Sequence, residues 1–196
     1  MAKLIFNYSA MGSGKTMDLL RTAFNYEENG LKVLVMKPSV DTKGGDSIVT
    51  RVGMSRKVDF LIGVGTSIID LLSDNLSGVS CIFIDEAQFL SEQQVVDLFI
   101  ISNNYDVPVI CYGLRTDFRG NLFPGSSKLL GIAEELHEFK SLCSCGEIAR
   151  YNARRVNGKY IVDGDSVLID GTSEVEYVPL CGNCYTKYVL SLDEEN

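Results

Sequence analysis

A glycine-rich loop between an apolar strand and a helix constrains the fold of this chain more than any other feature. Gly12-Ser13-Gly14-Lys15-Thr16 follows a predicted strand over 3–7 and precedes a helical pattern over 18–29. Glycines let backbone N–H groups turn inward, where they and the helix N-terminus hold phosphate oxygens. In such a P-loop the lysine reaches the β- and γ-phosphates and the threonine binds Mg²⁺. Ser9 stands where the full pattern has its first glycine, so the alternative is a glycine-rich turn that binds nothing.

Short apolar strands alternate with helical patterns over the first two thirds of the chain. Further strands are predicted over 31–36, 79–84 and 107–112, and further helices over 67–76, over 128–138 and after a capping-box pattern at 91–94. This alternation predicts an α/β fold, in which a parallel, RecA-like P-loop sheet carries helices on both faces.

Two adjacent acids follow the apolar strand over 79–84. Because ligands bind at the carboxyl ends of parallel strands, we expect Asp85 beside the P-loop, where it holds Mg²⁺ directly or through water. Successive side chains point to opposite sides, so Glu86 is free to act as a base toward a nucleophile. The alternative is a helix-start pair that the helix dipole favours. These two residues do not fix whether the base activates water or a substrate hydroxyl.

Four paired cysteines distinguish the chain past residue 140. Cys143 and Cys145 form one pair, and Cys181 and Cys184 form the other. Four thiolates suit a structural zinc ion with no open position, which would close the base of a loop over 146–180. The alternatives are two disulfides or four free thiols, which a chain without an export signal favours less.

The change in sequence character predicts two domains. A P-loop nucleotide-binding domain is placed over 1–139, and a small zinc-binding domain over 140–196. Asn157-Gly158 predicts a β-hairpin in the second domain. The other two cysteines, Cys81 and Cys111, lie in apolar strands and are expected in the core. His137 lies in a charged stretch that is predicted to be helical, so we expect it at the surface rather than in a site.

Charge and apolar runs bear on the class of partner. Lys and Arg number 18 against 26 Asp and Glu, a net charge of −8, which argues against stable binding to nucleic acid or an anionic membrane. The first apolar run, 4–6, is too short for a signal peptide and no run is long enough to span a membrane, so a cytoplasmic location is expected. A nucleic-acid-stimulated ATPase remains an alternative, because the stretch 85–88 is superficially similar to sequence motifs of helicases. A nucleotide-dependent switch is a further alternative.

Several segments, in this order, resemble the zinc-containing (type II) thymidine kinases, and most closely their bacterial and bacteriophage branch. They are Tyr8-Ser9-Ala10-Met11-Gly12-Ser13-Gly14-Lys15-Thr16, Asp85-Glu86-Ala87-Gln88-Phe89, Tyr112-Gly113-Leu114-Arg115-Thr116-Asp117-Phe118 and the four paired cysteines. The resemblance implies transfer of the ATP γ-phosphoryl group to the 5′-hydroxyl of thymidine, and of deoxyuridine, with Glu86 as base. Mg²⁺ and a structural Zn²⁺ are the implied metals.

The resemblance also assigns residues to each substrate. The nucleotide and its metal ion would be bound by Ser9, Ala10, Met11, Gly12, Ser13, Gly14, Lys15, Thr16, Asp85, Glu86, Ala87 and Gln88. The nucleoside would be bound by Met11, Phe89, Leu114, Phe118, Phe123 and Tyr177, the last of these in the zinc-closed loop, or lasso. Asp41, Lys43, Arg51 and Arg115 are candidates for phosphate contact. Asn152 stands where many members have Thr. A homotetramer that is inhibited by dTTP is expected.

Overall fold

A computed structural model describes residues 1–162 and 175–191. In chain order the strands are β1 (Leu4–Ser9), β2 (Lys32–Pro38), β3 (Ser47–Val49), β4 (Ser55–Lys57), β5 (Phe60–Ile62), β6 (Val79–Ile84), β7 (Val109–Leu114), β8 (Glu135–Glu138), β9 (Ser141–Leu142), β10 (Ile148–Ala149), β11 (Tyr151–Val156), β12 (Lys159–Ile161) and β13 (Val175–Leu180). The α-helices are α1 (Lys15–Glu28), α2 (Ile68–Leu72), α3 (Glu92–Asn104), α4 (Pro124–Ile132) and α5 (Gly182–Tyr185), with a 3-10 turn over Ala87–Phe89 and a π-helical turn over Thr186–Leu190. Part of the predicted loop over 146–180 lies outside the described residues.

A six-stranded parallel sheet forms the centre of the fold. Its strand order is β5-β2-β6-β7-β1-β8, and every neighbouring pair is parallel. β1 lies between β7 and β8, and β6 lies beside β7. The strand ends that carry the P-loop and the two acids therefore meet at the same edge of the sheet, as the sequence predicts.

Helices cover both faces of this sheet, which confirms the predicted α/β class. On one face, α1 packs Leu19 and Ala23 against Val35 and Phe83 of the sheet. On the other face, α2, α3 and α4 pack around β1 and β6, with Leu98 of α3 fully buried. The predicted capping box at the start of α3 is present: the Ser91 hydroxyl accepts from the Gln94 N–H, and the Gln94 side chain accepts from the Ser91 N–H. Cys81 and Cys111 are fully buried in the sheet, as expected.

The prediction of one helix over 128–138 was wrong. α4 begins earlier, because Pro124 occupies its first position, and it ends at Ile132. The residues that follow form β8, which pairs with β1 and leaves His137 exposed on an edge strand rather than on a helix. Pairing with a strand near the start of the chain overrides the local helical pattern, since strand status depends on a distant partner.

The described residues after 140 form a smaller β unit with an apolar cluster of their own. β11 pairs with both β12 and β13, and β9 pairs with β10. Asn157 and Gly158, with φ of 49° and 77°, connect β11 to β12 in the tight hairpin that the sequence predicts. The boundary between 139 and 140 stays a prediction. Across 1–162 and 175–191, no helix has the length and apolarity needed to cross a membrane.

Candidate active site

The P-loop connects β1 to α1 at the edge of the sheet where the two acids lie. Gly12 and Gly14 have φ of 74° and 83°, a left-handed conformation that glycine adopts without strain. Gly14 is the N-cap of α1, and no side chain caps this helix end. The N–H groups of the first helical turn are therefore left to bind an anion, whose charge the helix dipole favours.

Ser9 holds the P-loop lysine in place. The Lys15 amine donates to Ser9 Oγ at 2.6 Å and to the Ala10 carbonyl at 3.3 Å, and the Ser9 and Ser13 hydroxyl oxygens are 2.6 Å apart. Burial lowers the pKa of Lys15, and the carboxylates of Glu86 and Asp85 oppose that shift. The serine at the position of the first pattern glycine is thus part of the loop's hydrogen-bond network rather than a defect in it.

Asp85 lies at the end of β6 and is 5% exposed. The Thr16 hydroxyl donates to Asp85 Oδ1 at 3.4 Å. Burial raises the pKa of Asp85 above its usual range, and the neighbouring Glu86 carboxylate raises it further. A buried carboxylate beside a hydroxyl is costly without a cation, and these oxygen donors are the type that Mg²⁺ prefers. The pair therefore fits a magnesium site.

Glu86 is held in a left-handed backbone conformation, with φ of 51° and ψ of 38°. The Gln88 side-chain amide donates to Glu86 Oε2 at 2.5 Å, and its oxygen accepts from the Leu114 N–H at 3.0 Å. Gln88 is 1% exposed, and a Cβ on Gly113 would approach its oxygen to 2.9 Å. One buried glutamine thus fixes the Glu86 carboxylate relative to β7, and the absence of a side chain at residue 113 makes room for it.

Two cavities meet beside Glu86. The smaller, of about 300 Å³, is lined by the P-loop and by residues 49–52. The larger, of about 410 Å³, is lined by all six residues that the resemblance assigns to the nucleoside: Met11, Phe89, Leu114, Phe118, Phe123 and Tyr177. Residues that line both cavities include Lys43 and Arg51. Two ligands, one bound in each cavity, would therefore lie next to each other beside the Glu86 carboxylate and the cations of Lys43 and Arg51.

Other predicted residues lie behind or away from these walls. Ser9, Ala10, Asp85 and Ala87 are buried and line neither cavity. Arg115 also lines neither, because its guanidinium donates to the Arg150 carbonyl at 3.4 Å and lies 5.8 Å from the centre of the Tyr151 ring.

The structure adds residues that the sequence did not place in the nucleoside cavity. Thr116 and Asp117 line it, as does Asn152, which the sequence marks only as a departure from the family pattern. Arg154, almost fully buried, stacks its guanidinium 4.0 Å from the centre of the Phe118 ring. Thr116 and Asp117 lie within the segment 112–123, whose aromatic and apolar residues indicate the cavity, whereas no local pattern indicates that Asn152 reaches it from β11.

The four paired cysteines come together as a cluster. Their sulfur atoms lie within 4.8 Å of one another, and Cys145 Sγ is 3.6 Å from Cys181 Sγ. A disulfide requires about 2.05 Å between sulfur atoms. A tetrahedral zinc ion with bonds of about 2.3 Å separates its sulfur ligands by roughly 3.8 Å. The cluster therefore fits zinc and not disulfides.

Comparison with known proteins agrees with these features. The family model described as thymidine kinase matches residues 2–185. A thymidine kinase of Legionella pneumophila (strain Lens) is 43% identical, covering 92% of this chain and 88% of its own. The thymidine kinase of Enterobacteria phage T4 is 41% identical over 92% and 94%, and that of Yersinia pseudotuberculosis is 38% identical over 96% and 97%.

The match spans the P-loop, the acids after β6 and the cysteine cluster, so it covers every part of the site described above. Identities near 40% over nine tenths of both chains are too extensive to reflect a shared P-loop alone. The chain therefore belongs to the thymidine kinase family, whose members are ATP-dependent nucleoside kinases.

Proposed function

We propose that this enzyme transfers the γ-phosphoryl group of ATP to the 5′-hydroxyl of thymidine, giving dTMP, and that it also accepts deoxyuridine. The observation that carries the proposal is the meeting of two cavities beside Glu86, one lined by the P-loop and one by aromatic side chains. A nucleoside whose base fills the aromatic cavity presents its sugar toward the junction. ATP in the P-loop presents its terminal phosphate to the same place.

Glu86 is proposed as the base. Its carboxylate lines both cavities and would accept the 5′-hydroxyl proton as that oxygen attacks the γ-phosphorus in line. The Gln88 amide orients the carboxylate, and Glu86 lines both cavities whereas Asp85 lines neither. The two neighbouring acids can therefore serve different purposes.

Lys15, Lys43 and Arg51 would stabilise the charge on the transferred group. Lys15 lies in the P-loop, whereas Lys43 and Arg51 line both cavities, so all three surround the position of the γ-phosphate. Across the described ranges, no carboxylate forms an ion pair with the side chain of Lys43 or Arg51. Cations that are not engaged with a carboxylate are available to phosphate oxygens.

Thr16 and Asp85 would hold Mg²⁺. When it is bound, the ion neutralises charge on the β- and γ-phosphate oxygens. Thr16 supplies a hydroxyl oxygen from the first turn of α1, and Asp85 supplies a carboxylate from the end of β6.

The aromatic cavity accounts for the proposed preference for a pyrimidine nucleobase. Phe89 and Phe123 contact each other edge to face, with ring centroids 5.7 Å apart, and Phe118 lies nearby against Arg154. Such a slot suits a flat, uncharged pyrimidine. An apolar pocket discriminates a single methyl group by only about 1–3 kcal/mol. Deoxyuridine, which lacks the thymine methyl, is therefore expected to be a weaker substrate rather than an excluded one.

The remaining features of the proposal concern the assembled enzyme. Zinc bound by Cys143, Cys145, Cys181 and Cys184 would close the base of the lasso that carries Tyr177. Because the two cavities share lining residues, a dTTP molecule would place its base in one and its triphosphate in the other, which would explain feedback inhibition. A cytoplasmic homotetramer stays an expectation from the family resemblance.

A mixing experiment tests the activity. The purified chain is incubated with ATP, Mg²⁺ and each deoxynucleoside in turn, and nucleoside monophosphate is measured. We expect phosphorylation of thymidine, slower phosphorylation of deoxyuridine and no reaction with purine deoxynucleosides. ATP hydrolysis that single-stranded DNA stimulates, with thymidine unchanged, would instead support the nucleic-acid-dependent ATPase.

A second experiment tests the base. Glu86→Gln is expected to fold and bind ATP but to lose most phosphoryl transfer, because an amide cannot accept the proton. Turnover near that of the unsubstituted enzyme would remove Glu86 from this role.

A further inference from the structure

The peptide groups of Met11, in the P-loop, are held from both sides by the cysteine-bearing part of the chain. The Met11 N–H donates to Asn152 Oδ1 at 2.8 Å, and the Ser141 hydroxyl donates to the Met11 carbonyl at 2.9 Å. Asn152 is 3% exposed and Ser141 is 6% exposed. Both residues lie after 140, whereas the loop that they hold lies at the start of the chain.

Asn152 also reaches the loop that follows β7. Its side-chain nitrogen donates to the Thr116 carbonyl at 2.9 Å, in a buried position. Met11 and Thr116 both line the nucleoside cavity, and Met11 lines the nucleotide cavity as well. A single amide group therefore joins a wall of one cavity to a wall of the other.

The chemistry of the amide fixes its orientation. Its oxygen must face the Met11 N–H and its nitrogen must face the Thr116 carbonyl. In the reverse orientation, the amide N–H would face the Met11 N–H and the amide oxygen would face the Thr116 carbonyl oxygen, so neither bond could form. Neither an aspartate nor a leucine of similar size can make both bonds. Since β11 pairs with β13, which ends beside Cys181, the amide is anchored on the strand pair nearest the cysteine cluster.

We propose that Asn152 and Ser141 are positioning residues that couple nucleotide binding to nucleoside binding through the Met11 peptide groups. A nucleotide that orders the P-loop fixes Met11, and Met11 fixes the Asn152 amide and with it the Thr116 wall of the nucleoside cavity. Thymidine therefore binds more tightly when the nucleotide site is filled, and by linkage the nucleotide binds more tightly when thymidine is present. This inference rests on the proposed function, because it requires both ligands to occupy the two cavities.

Calorimetric titration measures the coupling directly. Thymidine is titrated into the full chain, with its zinc, in the absence and in the presence of a saturating non-hydrolysable ATP analogue with Mg²⁺. For the unsubstituted enzyme we expect the thymidine Kd to fall by about 5-fold or more when the analogue is bound. For Asn152→Leu and for Ser141→Ala we expect the ratio of the two Kd values to approach one.

Ser102→Ala is the matched control for Ser141→Ala. The Ser102 hydroxyl donates to the Phe99 carbonyl at 2.9 Å, and Ser102 is fully buried in α3, away from both cavities. Ser102→Ala thus removes a hydroxyl-to-carbonyl bond of the same length from another part of the core, together with the bond that this hydroxyl accepts from the Asn103 side chain at 3.3 Å. We expect Ser102→Ala to lower the melting temperature as Ser141→Ala does but to retain the full coupling ratio.

The outcomes separate the inference from the function on which it depends. The inference would be overturned if Ser141→Ala and Asn152→Leu retained the coupling, or if the unsubstituted enzyme bound both ligands without coupling. Either result would leave the proposed kinase activity unaffected. An unsubstituted enzyme that does not bind thymidine would overturn the proposed function and this inference with it. If Asn152→Leu fails to fold, Ser141→Ala against Ser102→Ala decides the result.

Discussion

Replacing Gln88 by leucine is expected to slow phosphoryl transfer as well as to destabilise the fold. Leucine fills a similar volume, so the substitution leaves no large cavity. It removes two hydrogen bonds: the one that the amide nitrogen donates to Glu86 Oε2, and the one that the amide oxygen accepts from the Leu114 N–H. The first bond orients the proposed base, and the second attaches the 3-10 turn to the sheet.

The two bonds act on different quantities. The bond to Glu86 holds the carboxylate in position, and a misplacement of about 1 Å can lower the rate of a reaction by about 10²-fold. We therefore expect loss of this bond to lower kcat by roughly 100-fold. The Leu114 N–H that is left without an acceptor costs about 1–3 kcal/mol of stability. For a chain of this length, each kcal/mol lowers Tm by about 2–4 °C.

Gln94→Leu provides the matched control. Gln94 is buried, donates to the carbonyls of Gly63 and Thr66 at 2.9 and 3.1 Å, and accepts from the Ser91 N–H at 3.0 Å, but it lines neither cavity. Formation of dTMP is followed at saturating ATP and thymidine, and Tm is measured by calorimetry. We expect Gln94→Leu to lose at least as much stability as Gln88→Leu, because it also removes the α3 capping box, while it keeps kcat within about twofold. A Gln88→Leu enzyme with the kcat of Gln94→Leu would refute the orienting role of Gln88.

Three further results are expected. Gly125→Ala places a Cβ 2.4 Å from the Ala87 carbonyl oxygen, so it should lower the free energy of unfolding in urea by about 1–3 kcal/mol. Gly131→Ala, in the same helix, is the control and should not lower it, because no atom lies within 4 Å of the added Cβ. Lys37→Met removes a fully buried ammonium and its three hydrogen bonds, one of which is to Asp41. The free energy of unfolding, measured by chemical denaturation, should fall by about 3–5 kcal/mol. A fall of less than about 1 kcal/mol would contradict a stabilising role for Lys37. In thiol titration at pH 8, four cysteines should react after a chelator is added. The two in the sheet, whose pKa burial raises, should react only in denaturant, and earlier reaction would show that they are accessible.

The features that the sequence predicted depend on local chemistry. The P-loop needs only its own glycines, the capping box needs Ser91 and Gln94, and the hairpin needs Asn157-Gly158. The zinc-compatible cluster follows from two short cysteine spacings. The residues of each motif, and of each cysteine pair, are neighbours in the chain, so these patterns can be recognised without knowing the fold.

The features that the sequence missed depend on contacts between distant segments. Residues 135–138 become β8 because they reach β1, not because of their own propensity. Lys37 is fully buried because a loop over 41–47 encloses its amine, and nothing around it in the sequence indicates this. Asn152 reads as a simple departure from the family pattern, although its amide contacts two loops that lie more than 30 residues away.

The position of β1 between β7 and β8 has a consequence for synthesis on the ribosome. The P-loop strand emerges from the ribosome more than 100 residues before β7, the first of its two pairing partners in the chain. At about 5–20 residues per second, the strand waits roughly 5–20 s before it can join the sheet. During that interval the nascent chain displays an unpaired apolar strand and has no completed phosphate cradle. The sheet that supports the nucleotide site is therefore completed only late in synthesis, after β7 and β8 have emerged.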